Sequence, residues 1–123
     1  MPIFRKLYTA TKYSSQGLAY AIENELAFRL EIFCAAIAIP VALYLGSSPV
    51  EKSLMIGAVI LVMILEIVNS AIEAVVDRIG KEFHNLSMHA KDLGSAAVFV
   101  GCINVLVVWG IILYPRVKNI LFS

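Results

Sequence analysis

The sequence predicts an all-α integral membrane protein, a single membrane domain of residues 1–123 in which an amphipathic surface helix precedes three transmembrane helices. Three observations carry that prediction. The chain is 60% apolar and only 15% charged, with a mean hydropathy of +0.85, whereas soluble domains lie nearer half apolar and a quarter charged. Three apolar stretches reach, or can be extended to reach, the length needed to cross a hydrocarbon core of about 30 Å. The basic residues gather on one side of those stretches. Net charge is +1, so no basic excess points to nucleic acid, and there is no low-complexity tract or internal repeat. Cys34 and Cys102 sit in separate apolar stretches and read as buried small hydrophobes without a disulfide. A signal peptide is not expected, because Glu23, Glu25, Arg29 and Glu31 precede the first apolar run.

In residues 3–22, Phe4, Leu7, Thr11, Leu18 and Ile22 recur at roughly helical spacing, with Arg5, Lys6 and Lys12 off that stripe. This is the pattern of a helix lying in the membrane interface; a solvent-exposed helix packed on its own protein is the alternative. The first span covers residues 26–45, with Pro40 as a kink. Gly46-Ser47-Ser48-Pro49 makes a turn, and Ser53 is the expected N-cap of the second span, residues 54–76. The apolar part of that span, residues 54–65, is too short to cross alone, so the helix must continue through Glu66. The third span, residues 93–114, has Asn104 as its one strongly polar residue, an expected interhelical hydrogen-bond donor, and Pro115 as its expected end.

Arg5, Lys6 and Lys12 precede span one, and Arg78, Lys81 and Lys91 lie between spans two and three, whereas the turn between spans one and two has only Lys52. The positive-inside rule therefore places the N-terminus and the loop of residues 77–92 in the cytoplasm. Arg116 and Lys118 on the outer tail run against it. The row Ala90, Gly94, Ala97 and Gly101 on span three, and the polar stripe of span two, lack obvious cover in three short helices. Small-residue rows let membrane helices approach closely, and self-association is the economical cover.

Glu66, Glu73 and Asp77 carry the chemistry. At about 100° per residue these carboxylates fall within roughly 40° of one another, with Asn69 and Ser70 flanking the stripe. A carboxylate in hydrocarbon costs at least about 2.5–3.5 kcal/mol on insertion scales, which a functional acid or base explains and an uncharged helix–helix hydrogen bond explains more blandly. Glu73 and Asp77 can serve as ligands, or form an interfacial cluster with Arg78 or Lys81. Glu25 can join them, or pair with Arg29 at i+4 for a few tenths of a kcal/mol. Lys91 and Asp92 can face phosphate, or be a plain flank. Glu82, His84, Asn85 and His89 sit in the intervening loop, without the spacing of a zinc site.

Carboxylates without Cys or His partners suit Mg²⁺, which takes one or two of them plus substrate phosphates. A lysine can balance phosphate charge, and a deeper carboxylate can accept a proton from a lipid hydroxyl. Metal, cation, base and in-line positioning are the parts of phosphoryl transfer. The soluble-kinase signatures are missing: there is no GxxxxGK[ST] loop and no HRD or DFG set. A small oligomeric cation or proton channel is the rival class, since intramembrane carboxylates are normal there too. The wholly apolar residues 54–65 stop the polar path halfway and favour a one-sided site.

The segment E-I-V-N-S-A-I-E-A-V-V-D-R-I-G at residues 66–80, followed by A-K-D-L-G-S-A-A-V at residues 90–98, resembles the prokaryotic diacylglycerol kinase family. N-E-L-A-F-R-L-E at residues 24–31 is similar to its N-terminal motif, and the likeness extends over nearly the whole chain. The resemblance implies a homotrimer with composite active sites at the cytoplasmic face of the bacterial inner membrane, converting MgATP and diacylglycerol to phosphatidic acid. By motif position it implies Glu66 as catalytic base and Glu25 and Glu73 as metal and ATP carboxylates. Asn69 and Asp77 are implied as supporting residues, Lys91 and Asp92 as nucleotide-binding, and Ser95, with Glu66, near the lipid. Tyr13 and the Glu82-Phe83-His84 segment resemble the nucleotide-binding edge. The family's N-terminal phosphate-holding basic residue falls at Lys6 or Arg5, and Gln16 and Ala19 stand where further basic residues are expected. Some members phosphorylate undecaprenol instead; E-A-V-V-D-R-I-G is more similar to the diacylglycerol branch.

Overall fold

The computed structural model describes residues 2–80 and 84–122 and contains four helices: α1 (Pro2–Asn24), α2 (Leu26–Leu45), α3 (Pro49–Ile79) and α4 (Asn85–Phe122). The last three are long and apolar enough to cross a membrane. The expected N-terminal helix and three helices able to span are therefore all present, in an all-α protein.

Helix α3 starts earlier than expected, and Ser48, not Ser53, caps it. The Glu51 N–H donates to Ser48 Oγ at 3.1 Å, the Ser47 N–H donates to Glu51 Oε1 at 3.0 Å, and Pro49 stands at the first helical position. This is a variant of the capping box, with the glutamate reaching back to the N–H just before the cap. Hydrophobic periodicity pointed further along because Val50, Glu51 and Lys52 belong to the helix but not to its apolar stripe.

Helix α4 overruns expectation at both ends. His84 opens it: its Nδ1 accepts the Leu86 N–H at 3.1 Å and its carbonyl the Met88 N–H at 3.0 Å. Residues 85–92, expected as loop, are thus the first two turns of α4. At the other end the helix passes through Pro115, which sacrifices one hydrogen bond without stopping it. The next residue is anchored, its guanidinium donating from Arg116 to Ser47 Oγ at 3.1 Å. At 38 residues α4 is about 57 Å long, well beyond one bilayer core, so residues 93–114 are only its apolar middle.

Helices α2, α3 and α4 pack along seams of heptad spacing. Phe28, Ala35 and Ala42 are buried on α2, Met55, Ala58, Val62, Glu66 and Asn69 on α3, and Gly94 and Gly101 on α4. Small residues dominate because close backbone approach replaces the missing hydrophobic drive in lipid. A Cβ on Gly101 would stand 2.8 Å from Leu65 Cδ1, so Gly94 and Gly101 are covered by the chain's own α3. The small-residue row accordingly needs no second copy to cover those two positions. The Trp109 indole N–H donates to the Met55 carbonyl at 3.0 Å, tying α4 to α3 near the other end. Asn104 makes no side-chain hydrogen bond among the described residues; it is half-buried and lines an apolar groove together with Leu61 and Leu65. Both cysteines are free and exposed on the bundle's flank, where they were expected unpaired but buried.

Helix α1 is almost wholly exposed, with Ala21 its one buried residue, and it meets the bundle chiefly through α2. The turn between them is a single extended residue, Glu25 (φ −114°, ψ 105°). Arg29 holds it, donating from one guanidinium nitrogen to the carbonyls of Ile22 (2.9 Å) and Glu23 (3.0 Å) at the end of α1. Arg29 therefore serves the backbone and does not form the Glu25 pair that its i+4 spacing allowed.

Candidate active site

The buried seam of α3 changes character along its length. Met55, Ala58 and Val62 are apolar; Glu66 and Asn69, at 8% and 7% exposure, continue the same face. The next positions outward are Glu73, half-buried, and Asp77, exposed. One helix face thus carries a carboxylate from inside the bundle to its surface, over about 16 Å by rise per residue.

Two hydrogen-bonded pairs organise the outer part. The Asn69 Nδ2–H donates to Glu73 Oε1 at 3.2 Å, and Lys91 Nζ of α4 meets Asp77 Oδ1 at 2.7 Å. The hydrogen bond from Lys91 to Asp77, reinforced by the charge of Asp77, pushes the lysine pKa above its ordinary value, so Lys91 is a fixed cation. Both of these side chains are exposed. Asp77 therefore turns to α4, and the alternative cluster with Arg78 is not formed; Lys81 lies outside the described residues.

Glu25 occupies the extended hinge between α1 and α2, half-buried and making no side-chain cap hydrogen bond. Together with Glu73 it lies within electrostatic reach of Glu66. Glu31, one and a half turns further along α2, was not singled out as a site residue. Both of its carboxylate oxygens are buried without a partner among the described residues, and it too is within reach of Glu66. The signal that could have found it is the one that found Glu66, a carboxylate inside a span.

Glu66, Asn69, Glu73, Glu25 and the Asp77–Lys91 pair are thus gathered at one end of the bundle. Asp92 and Ser95 are exposed on the first turns of α4, and His84 is exposed at its cap. Lys6 and Tyr13 are not brought in. They line a shallow concavity on α1 with Arg5 and Thr9, and Tyr13 stands about 18 Å along the helix from Glu25. Glu82 and Phe83 lie outside the described residues.

No three potential ligands converge among the described residues. A Mg²⁺ ion that also binds phosphates needs only one or two carboxylates. Glu73 can serve as one such donor, since Asn69 engages one oxygen and leaves the other open, and Glu25, like Glu73 within electrostatic reach of Glu66, is a candidate for a second.

A family profile described as prokaryotic diacylglycerol kinase matches residues 12–113. The chain is 56% identical over 108 residues to a diacylglycerol kinase of Haemophilus influenzae, covering 88% of this chain and 92% of the relative. It is 48% identical over 113 residues to a diacylglycerol kinase of Escherichia coli K12, covering 92% and 93%. A diacylglycerol kinase of Pseudomonas aeruginosa is 45% identical over 109 residues, covering 89% of each chain.

Proposed function

The chain belongs to the prokaryotic diacylglycerol kinase family, and we propose that it transfers phosphate from MgATP to the hydroxyl of diacylglycerol, giving phosphatidic acid. The reaction takes place at the cytoplasmic face of the bacterial inner membrane. The observation that carries this reading is the graded face of α3: a buried carboxylate, Glu66, then Glu73, hydrogen-bonded to Asn69, about 10 Å further out. That separation suits a hydroxyl at the acyl boundary and a metal–phosphate group at the surface.

Glu66 acts as general base, accepting the hydroxyl proton as the lipid oxygen attacks the γ-phosphorus and the bond from that phosphorus to the bridging oxygen breaks, releasing ADP; a side chain in this role contributes about 10²- to 10⁴-fold. Its burial in the seam keeps bulk water from competing with the lipid hydroxyl. Glu73 and Glu25 would hold Mg²⁺, which when bound would neutralise phosphate charge. Asn69 orients Glu73. Lys91, held by Asp77, balances the charge of the phosphates, and Asp92, Tyr13, Lys6 and the Glu82-Phe83-His84 segment complete the nucleotide site. Ser95 faces the lipid headgroup. The ATP site is completed between copies in a homotrimer, which accounts for the distance of Lys6 and Tyr13 from Glu25 within one chain. A channel has no support in the wholly apolar residues 54–65 or in the family.

The test is phosphorylation by purified protein in mixed micelles with MgATP and either diacylglycerol or undecaprenol. Phosphatidic acid as the preferred product supports the proposal. Undecaprenyl phosphate alone keeps the mechanism and moves the substrate; no lipid phosphorylation overturns both.

A further inference from the structure

Asn69 is buried with its two amide atoms in different situations. Nδ2 donates to Glu73 Oε1, while Oδ1 is buried without a hydrogen-bond donor among the described residues. Facing that oxygen is Gly94 of α4, itself buried. A Cβ built on Gly94 would run into Asn69 Oδ1, and would also lie 3.3 Å from Asn69 Cγ and 3.6 Å from Ile72 Cδ1.

Charge fixes which way the amide turns. A carboxylate can accept from the amide NH₂ but repels the amide oxygen, so Oδ1 must point away from Glu73 and toward α4. There it meets a glycine, whose Cα–H groups are the weak donors that recur at helix–helix interfaces. Any side chain at this position would occupy the space that the oxygen needs. Displacing the oxygen rotates the whole planar amide, and the Nδ2–Glu73 contact is lost with it.

We infer that Gly94 is a positioning residue of the site: the absent side chain makes room for the Asn69 oxygen and so keeps the Asn69 amide on Glu73. The inference rests on the kinase reading, in which Glu73 is a metal carboxylate. Gly101, two turns along the same face of α4, is the natural control. A Cβ there would also be crowded, at 2.8 Å from Leu65 Cδ1 and 3.5 Å from Val62 Cγ2, but these are apolar side chains that hold no carboxylate by a hydrogen bond. Substitution at Gly101 strains the same helix pair without disturbing the amide.

The experiment uses the full chain in lipid nanodiscs, with Mn²⁺ binding in the presence of a non-hydrolysable ATP analogue read by electron paramagnetic resonance. Thermal unfolding is followed beside it. Gly94→Ala weakens Mn²⁺ binding about 10-fold or more, the range seen when groups that orient metal ligands are lost. Gly101→Ala binds Mn²⁺ as wild type does, even where its melting temperature falls. Asn69→Ala and the double variant Asn69→Ala/Gly94→Ala bind Mn²⁺ equally weakly, because the second substitution has nothing left to displace. If Gly94→Ala alone fails to fold, the double variant recovers the fold.

Wild-type binding by Gly94→Ala, an equal loss in Gly101→Ala, additive losses in the double variant, or a double variant that stays unfolded would each overturn the inference. Wild-type protein that neither binds Mn²⁺ nor phosphorylates lipid overturns the kinase reading instead. The contact itself is then read by whether the Asn69→Ala and Gly94→Ala melting shifts add; additive shifts refute it.

Discussion

Asp77 and Lys91 form the shortest polar contact between helices at the site, yet both side chains are exposed, and exposed ion pairs contribute about 0–1 kcal/mol. Their value is positional. Asp77→Asn is expected to leave the unfolding free energy within about 1 kcal/mol of wild type while raising the KM for MgATP more than it lowers kcat. Steady-state kinetics beside a denaturation curve separate the two effects. At this scale the placing of Glu66, Asn69, Glu73 and Asp77 along one face of α3 was legible in the sequence, because helical spacing alone brings residues three, four and seven apart to the same side. Glu31 was not recognised, since it stands before the uninterrupted apolar run and reads as a flank. The alternative pairing of Glu25 with Arg29 is not formed for a different reason: an i+4 spacing shows which charges can meet, but not that free carbonyls at the end of α1 compete for the same guanidinium.

The elements were placed by apolar periodicity, and their ends were where that signal failed. Ser48-Pro49-Val50-Glu51 is a complete helix-start signature, but it lies outside the apolar stripe that located span two. Ser48→Ala removes the acceptor of the Glu51 N–H and is expected to cost about 1 kcal/mol, measured as a shift in unfolding midpoint with kinase rate unchanged. Trp109→Phe removes the indole donor to the Met55 carbonyl. Interhelical hydrogen bonds in membranes average about 0.6 kcal/mol, because the separated helices also find partners. A destabilisation near that size is expected, and one above about 2 kcal/mol would mean that lost packing dominates. Pro115 was read as a stop because a helix-interior proline costs about 3 kcal/mol in water. Membrane helices tolerate proline where the freed backbone groups find other partners, and just past it the side-chain contact from Arg116 to Ser47 anchors α4 to the turn between α2 and α3.

The exposed surface of one chain is 9258 Å², whereas a compact monomer of 13.5 kDa has about 6,500 Å². The excess belongs to an elongated bundle with apolar flanks and to an α1 that stands off it. Lipid covers part of that surface, and neighbouring copies cover the rest if the active site is shared. Native mass spectrometry of protein released from nanodiscs is expected to show a trimer as the main species, with bound lipid. A monomer retaining full activity would remove the shared site. Stoichiometry was never legible in residue patterns, because Gly94 and Gly101, which invite a partner helix, are satisfied by α3 of the same chain.

The most direct measurement is the rate of phosphatidic acid formation by Glu66→Gln beside wild type, with both shown to be equally folded and assembled. Glutamine keeps the shape and a hydrogen bond but cannot take the hydroxyl proton, so a loss of about 10²- to 10⁴-fold in kcat is predicted, with the KM for MgATP little changed. A variant within a few-fold of the wild-type rate would contradict the assignment of Glu66 as base. The buried carboxylate of α3 would then have to be explained by helix packing alone.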